Sequence, residues 1–177
     1  MKAAVIHEHG GLDRVRVEEV PEPKVGEGEV LLEVRSAALN HLDIWVRKGR
    51  PGLALRMPHV LGSDAAGIVV ELGSGTHGVK VGDEVILNPG LSCGCCESCL
   101  RGQQSECISF SIVGAGKPGT FAEKVAVPSC NVLAKPAHLN FDEAAALPLV
   151  YQTAWRMLMT RAGLKPGETV LIHGVGG

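Results

Sequence analysis

The chain has 177 residues, 45% of them hydrophobic and 20% charged, with 17 basic against 19 acidic side chains and a formal net charge of −2. The charges are interspersed with no basic block, so no footprint for nucleic acid or anionic lipid is expected, and the longest apolar stretches, such as 144–150, fall far short of the roughly 20 residues of a membrane helix. A chain of this size builds a sizeable core in one or two domains, and its 23 glycines and 10 prolines with 3% aromatics point to many short strands joined by turns.

In chain order, Lys2–Ile6 and Val15–Val20 alternate apolar and polar residues and read as strands. Pro21 and Pro23 close the second, Gly26–Gly28 turns, and Val30, Leu32 and Val34 resume the alternation as far as Ala38. The glycine-bounded stretch Gly62–Gly73 holds the strand-like Ile68–Leu72, and Gly73, Gly75 and Gly78 mark turns. Val81–Leu87 is a turn running into a strand, and Phe121–Val127 is one more. About six or seven strands at this density predict a small β-barrel or sandwich.

The texture changes after Pro136. Asn140, with Glu143 three residues later, is a capping-box signature, so a helix is predicted there that runs through Ala144–Leu147 until Pro148 interrupts it. A second helical stretch is predicted over Tyr151–Ala162, with Gly163 closing it. Lys165–Glu168 turns into the apolar run Thr169–His173, which reads as a strand, and the chain ends in Gly174, Gly176 and Gly177. A strand running into clustered glycines is how a nucleotide-binding βαβ unit opens. The helix that receives the pyrophosphate, and the residue that selects NAD from NADP, are expected beyond Gly177, so the chain reads as a portion of a longer protein.

Six cysteines are present, and four of them, Cys93, Cys96, Cys99 and Cys107, stand in C-x2-C-x2-C-x7-C spacing. Four thiolates this close along the chain enclose one Zn2+ tetrahedrally with little loop-closure cost, and a four-sulfur shell leaves no open position for substrate. The metal they imply is structural. A disulfide framework is the first rival, but Met1–Gly11 has no run of about seven apolar residues behind a basic stretch, so nothing there signals an oxidising compartment and a cytoplasmic location is expected. The second is an iron–sulfur cluster, whose compact ferredoxin run puts the fourth cysteine before a proline, whereas Cys107 precedes Ile108. Cys95 and Cys130 fall outside the spacing, and Cys130 reads as an ordinary small apolar side chain.

The segments Pro21–Leu32, Gly62–Val69, Val81–Val85, Gly119–Glu123 and Gly174–Gly177, taken with the cysteine lobe, resemble the medium-chain dehydrogenase/reductases, the zinc alcohol dehydrogenase and quinone oxidoreductase superfamily. The match covers the whole chain. The resemblance implies a mainly β fold with some α: a GroES-like β-barrel domain over residues 1–147, with its zinc lobe at about 88–112, then the first helix and strand of a Rossmann domain over 148–177. It also implies an oxidoreductase using NAD(P)H on a small-molecule substrate when full length, assembled as a homodimer or homotetramer, with the present segment inactive alone.

Departures from the family pattern shape the functional expectation. Zinc-dependent members hold a second, catalytic zinc with a Cys, a His-Glu pair and a later Cys or carboxylate. Here Asn40 stands at the cysteine, Ser63–Asp64 replaces His-Glu, and the third position falls on Leu149, counted back from Thr153. An amide, a hydroxyl and an isobutyl group do not hold a borderline-soft cation. The chain is therefore expected to belong to a quinone or conjugated-carbonyl reductase that lacks the catalytic zinc and keeps the structural one. By resemblance, Asn40 and Asp64 are the candidate catalytic residues, Asn40 as a donor to the developing enolate. His41, Thr153, Gly174, Gly176 and Gly177 are the candidate cofactor contacts. Each has a plainer reading: Asn40 orients its own loop, Asp43 and Asp64 cap turns or meet Arg47 or Arg56, His41 is a surface loop histidine, and Thr153 caps a helix end. Trp45 and Tyr151 line a pocket or serve as core or dimer contacts. Two other functions stay open: a zinc alcohol dehydrogenase using His59, Asp64 or Asp43 as atypical ligands, and a non-catalytic zinc-stabilised binding protein.

Overall fold

The structure, a computed structural model, describes residues 1–52 and 54–174. Among these, ten strands form: β1 (Lys2–Ile6), β2 (Arg16–Glu19), β3 (Glu29–Ala38), β4 (His59–Val60), β5 (Asp64–Leu72), β6 (Glu84–Leu87), β7 (Gly90–Leu91), β8 (Ser111–Ile112), β9 (Lys124–Pro128) and β10 (Val132–Ala134). They make an antiparallel sheet in the order β10-β6-β5-β3-β9, a smaller one ordered β2-β1-β4, and the β7-β8 pair at the base of the cysteine lobe. The mainly β class read from the sequence is what the chain adopts.

Alternation drives the larger sheet. Val30 and Leu32 of β3, Val85 and Leu87 of β6, and Val125 and Val127 of β9 lie two residues apart on their strands, which turns each pair to one face. With Ala65 and Val69 of β5 they form the main buried cluster. Each such side chain is worth about 1.5–3 kcal/mol on burial, so this face outweighs the weaker strand propensities around it. β3 is long enough to pair with β5 over its whole length only through irregularities at Leu31/Leu32 and Val34/Ser36, which bend it.

One segment joins the two larger sheets. Gly119 and Phe121 N–H groups donate to the Val60 and Leu61 carbonyls (both 2.8 Å), Ala4 N–H donates to Phe121 O (2.7 Å), Glu123 N–H to Lys2 O (3.1 Å) and Val34 N–H to Glu123 O (2.9 Å). Strand edges that would otherwise be free are thus paired across residues 119–123, as in a closing barrel. Gly62, at the crossing, has φ +96°, and a Cβ there would run into the Phe121 ring.

Helix α1 (His41–Lys48) follows β3, and the short α2 (Glu97–Leu100) sits in the cysteine lobe. Asn140 Oδ1 accepts from Glu143 N–H (2.9 Å) and Glu143 Oε2 from Asn140 N–H (3.0 Å), the capping box expected at the start of α3 (Phe141–Ala145). Ala144 and Ala145 then pack on Ala66 of the sheet. Pro148 is the first residue of α4 (Pro148–Trp155), where a missing N–H costs nothing. The helix continues as a π-helical run, Arg156–Arg161, and Gly163 closes it at φ +63°.

Three differences from the sequence reading have physical causes. The strands β4, β7, β8 and β10, of two or three residues, are too short to show alternation and have no counterpart in the sequence reading. Helix α1 shows no apolar stripe in the sequence, because its eight residues bury only Val46 and the acidic Asp43. Thr169–His173 makes no ladder: a parallel strand needs a neighbour, none of the ten strands pairs with it, and Leu171 and Ile172 stand 80% and 62% exposed.

Candidate functional site

Two clusters of polar and sulfur groups stand out. In the first, the Sγ atoms of Cys93, Cys96, Cys99 and Cys107 all lie within 4.8 Å of one another, and they are the one such group of metal-binding side chains among the described residues. Cys96 caps α2, which places Cys99 one turn on in the buried side of the lobe, and Cys107 follows a short 3-10 turn that brings it back. Neighbouring sulfurs are 3.5 Å (Cys96–Cys99 and Cys93–Cys107) and 3.9 Å (Cys93–Cys99) apart. A tetrahedron with Zn–S bonds of about 2.3 Å has edges of roughly 3.8 Å, so the quartet fits that ion.

Backbone N–H groups add to the fit. Cys93 N–H donates to Cys107 Sγ (3.3 Å), Cys96 N–H to Cys93 Sγ (3.3 Å) and Ser109 N–H to Cys107 Sγ (3.4 Å). Donors aimed at sulfur favour the thiolate, and the Cys95 and Cys96 N–H groups draw the Cys93 thiol down to about 5, whereas burial first and its thiol neighbours second push Cys99 up to about 11. Cys95 stays outside the quartet. Cys130, expected to pack as a small apolar side chain, is exposed, with Sγ 3.5 Å from Asn131 Oδ1.

The second cluster is built on Asp64, at the entry to β5 and 1% exposed. Asn40 Nδ2 donates to its Oδ2 (2.9 Å), Leu149 N–H to its Oδ1 (3.0 Å), and Thr120 Oγ1 to its backbone carbonyl (2.9 Å). The start of α1 and the first turn of α4 therefore meet on one carboxylate, and the positions singled out in the sequence, Asn40, Ser63, Asp64 and Leu149, come together although 24 and 85 residues separate the bonded pairs. Leu149 contributes its backbone rather than its side chain. Burial raises the Asp64 pKa to about 6 against the two hydrogen bonds that hold it down.

Asp43 completes the start of α1: its Oδ2 accepts from Asn40 N–H (2.8 Å), and burial raises its pKa against the hydrogen bonds from the Asn40 and Gly62 backbone. Its Oδ1 and the Ser63 hydroxyl are buried without a partner. Arg47, read as a possible mate for these acids, donates to Gly10 O (2.6 Å) instead. His59 is buried with Nε2 2.9 Å from Gly114 O, and both Asp64 oxygens are engaged, so two of the three atypical ligands, His59 and Asp64, are turned to other partners.

The cofactor candidates separate. His41 is exposed and lies in the first turn of α1 rather than in a loop, with its ring centroid 4.8 Å from that of Trp45. Thr153 is exposed in the body of α4, where Oγ1 donates to Leu149 O (2.8 Å), a back-bond and not a helix-end cap. Gly174 is described, with φ +70°, while Gly176 and Gly177 lie outside the described residues. Because both helices start at Asp64, His41 and Thr153 flank the same cluster.

A groove of about 390 Å³ opens beside α1, lined in part by Leu42, Trp45, Arg50, Phe110, Ile112 and Ala115. Trp45 belongs to it; Tyr151 is 66% exposed on α4 and does not. Sequence reasoning missed Thr120 and the Leu149 N–H as holders of Asp64. The G-T-F-A-E segment was visible as a motif, but nothing local tells that its hydroxyl reaches a carbonyl 56 residues away.

Comparison with known proteins follows from this geometry. Residues 26–137 match the family described as alcohol dehydrogenase GroES-like domain. An alcohol dehydrogenase of Geobacillus stearothermophilus is 34% identical over 179 residues, an alignment covering 100% of this chain and 52% of that protein. A crystal structure of an NAD-dependent alcohol dehydrogenase superposes with TM-score 0.92 at 46% identity, over 95% of this chain and 49% of the other. The quinone oxidoreductase from Coxiella burnetii superposes with TM-score 0.79 at 28% identity, over 98% and 49% respectively. The chain spans about half the length of the relatives it matches. With a sheet closed by residues 119–123, a four-cysteine lobe and a matching family segment, the chain belongs to the alcohol dehydrogenase GroES-like domain family, within the medium-chain dehydrogenase/reductase superfamily.

Proposed function

We propose that the full-length protein is an NAD(P)H-dependent reductase of quinones or conjugated carbonyls that works without a catalytic zinc and carries one structural zinc on Cys93, Cys96, Cys99 and Cys107. The observation that carries this reading is the chemistry of the second cluster. Where a zinc-dependent relative needs soft or imidazole ligands, this chain presents an amide, a hydroxyl and a carboxylate with both oxygens already hydrogen-bonded. The likeness to the quinone oxidoreductase fold adds support.

In this reading residues 1–147 are the GroES-like domain and 148–177 the start of the cofactor domain, with His41, Thr153 and the glycines from Gly174 on as the cofactor contacts. When bound, the nicotinamide supplies hydride equivalents. The chain's own part is to orient and to bind charge. Asp64 fixes the Asn40 amide by one Nδ2–H, which leaves the second N–H to donate to a substrate oxygen as negative charge grows there. A conjugated substrate, whose π system spreads that charge, suits a site of neutral donors better than a simple alcohol does. The exposed apolar residues Trp155, Leu171 and Ile172 suit burial against the remainder of the protein, and a dimer or tetramer in the cytoplasm completes the proposal.

Metal analysis of the full-length protein with a coupled assay of NADPH and NADH oxidation tests the reading. One zinc per chain, with turnover of a benzoquinone or an enone, is the expected result. Two zinc ions per chain with turnover of simple alcohols only would refute it.

A further inference from the structure

The groove of about 390 Å³ beside α1 changes character along its length. Leu42, two residues past Asn40, lines it in the first turn of the helix, and Trp45 and Val46 follow at helical spacing on the same side. The segment after the cysteine lobe adds Phe110, Ile112 and Ala115 to this apolar wall. Arg50 joins the lining just past the end of the helix. A helix of eight residues is about 12 Å long, so the groove has the turn that follows Asn40 near one end and a guanidinium near the other. Trp45 and Phe110 are 49% and 42% exposed, large aromatic surfaces left to water in a concave wall, and the His41 ring, with its centroid 4.8 Å from that of Trp45, limits the swing of the indole.

Charge at the far end is one-sided. No acidic residue lines this groove or the adjoining one of about 280 Å³, where Trp45 and Arg50 are joined by Lys48. Arg14, Arg35, Arg101, Arg156 and Arg161 each rest on a carboxylate and Arg47 donates to Gly10 O, whereas neither Arg50 nor Lys48 has an ion pair among the described residues. A guanidinium is a planar fork that meets a carboxylate with two parallel N–H bonds, so an uncommitted arginine at the end of an aromatic groove is built for an anion with a flat apolar body.

We propose that this groove selects an elongated aromatic substrate that carries a carboxylate, with the ring against Trp45 and Phe110, the carboxylate on Arg50 and the reacting carbonyl toward the Asn40 end. This names the substrate class of the reaction proposed above and rests on it. A neutral ring gains the aromatic contact alone. A carboxylate adds a charge-assisted pair at the rim, where both charges stay partly hydrated, so the gain is modest and falls as salt screens it. Position matters as well: a carboxylate para to the chain that bears the carbonyl extends toward Arg50, and an ortho one turns back toward the carbonyl.

The test uses the full-length enzyme with NADPH or NADH and compares benzalacetone with its para- and ortho-carboxylates, with benzoquinone alongside. At low salt the para-carboxylate is expected to show a kcat/KM about fivefold above that of benzalacetone, the ortho-carboxylate no such gain, and the advantage to vanish at high ionic strength. Arg50→Gln removes the advantage, and Arg50→Lys, which keeps the charge without the fork, retains part of it. A second readout needs no turnover: calorimetric binding of cinnamate to the full-length protein is expected to weaken about fivefold in Arg50→Gln. Equal kcat/KM for benzalacetone and its para-carboxylate, a preference that survives Arg50→Gln, or reduction of benzoquinone with no turnover of any enone overturns the substrate class and leaves the reaction standing. An unaltered enzyme that reduces neither benzoquinone nor an enone overturns the reaction. Cinnamate binding that still depends on Arg50 would then uphold the groove as an aromatic-carboxylate site, and its absence would overturn that too.

Discussion

At the scale of single residues, Asp64 shows how burial and hydrogen bonding set a charge against a fold. Its pKa rises from an ordinary 3.8 to about 6, so the folded chain binds a proton there that the unfolded chain has released. The stability linked to this group is fully present below about pH 4 and is lost as pH climbs through 6, amounting to about 3 kcal/mol in order of magnitude. Asp64→Asn removes the titration, so urea-unfolding midpoints of the variant and the unaltered chain are expected to converge toward pH 4 and to separate toward pH 7 in the variant's favour. A gap that does not change with pH would show that Asp64 is ionised in the fold at all these values. Gly62 makes a sharper case: with φ +96° and the Phe121 ring where a Cβ would go, Gly62→Ala is expected to cost about 2 kcal/mol or more, read from the shift in unfolding midpoint.

The residue level also marks the limit of what the linear chain discloses. Asn40, Ser63, Asp64 and Leu149 were picked out because a family pattern puts ligands at those positions, and they do converge. The bonds that bring them together were invisible, because one of them uses the Leu149 backbone and another the Thr120 hydroxyl, groups that every neighbouring residue or any threonine also has. The cysteine quartet was legible for the opposite reason: its spacing is short, its atoms are the ligands themselves, and no distant partner is needed.

At the scale of elements, helix α3 and the larger sheet were readable because each carries its signal locally. The Asn140–Glu143 exchange of hydrogen bonds needs only four consecutive residues, and Asn140→Ala is expected to lower stability by about 1 kcal/mol, measured by chemical unfolding monitored in the far ultraviolet. Strands β3, β6 and β9 announced themselves through residues two apart that feed one buried face. Helix α1 carries a comparable four-residue cap, Asn40 N–H held by Asp43 Oδ2, but its buried side is only Asp43 and Val46, too narrow to show as an apolar stripe. Thr169–His173 illustrates the converse: an apolar run is a strand only when a partner strand is there to receive its N–H and C=O groups.

The proposed zinc ties the cysteine lobe together. Removing zinc with a chelator is expected to expose the segment around α2 to proteolysis while the larger sheet, built on its own apolar cluster, stays resistant; mapping the first cleavage sites by mass spectrometry checks this. Cys107→Ser should behave like chelation, since it withdraws one of four sulfurs and the acceptor of the Cys93 and Ser109 N–H groups.

On the scale of the whole molecule, the chain spans about half the length of the relatives it matches and carries a five-stranded and a three-stranded sheet. The 177 residues alone are expected to show no turnover and no measurable NAD(P)H affinity by calorimetry, because the proposed contacts His41 and Thr153 are exposed side chains on two separate helices and His41 lies outside the groove that Thr153 lines. Trp155, at the end of α4, is 67% exposed.

The closing segment carries a consequence for how the molecule comes into being. Glu123 N–H donates to Lys2 O (3.1 Å), and Lys2 N–H donates to the Glu123 carboxylate across 121 residues of sequence (2.8 Å). Lys2 meets that mate only once the chain has been made through residue 123. β1 pairs with β2 and β4 before then, and the contact with residues 119–123, of much longer sequence separation, is expected to form late in folding.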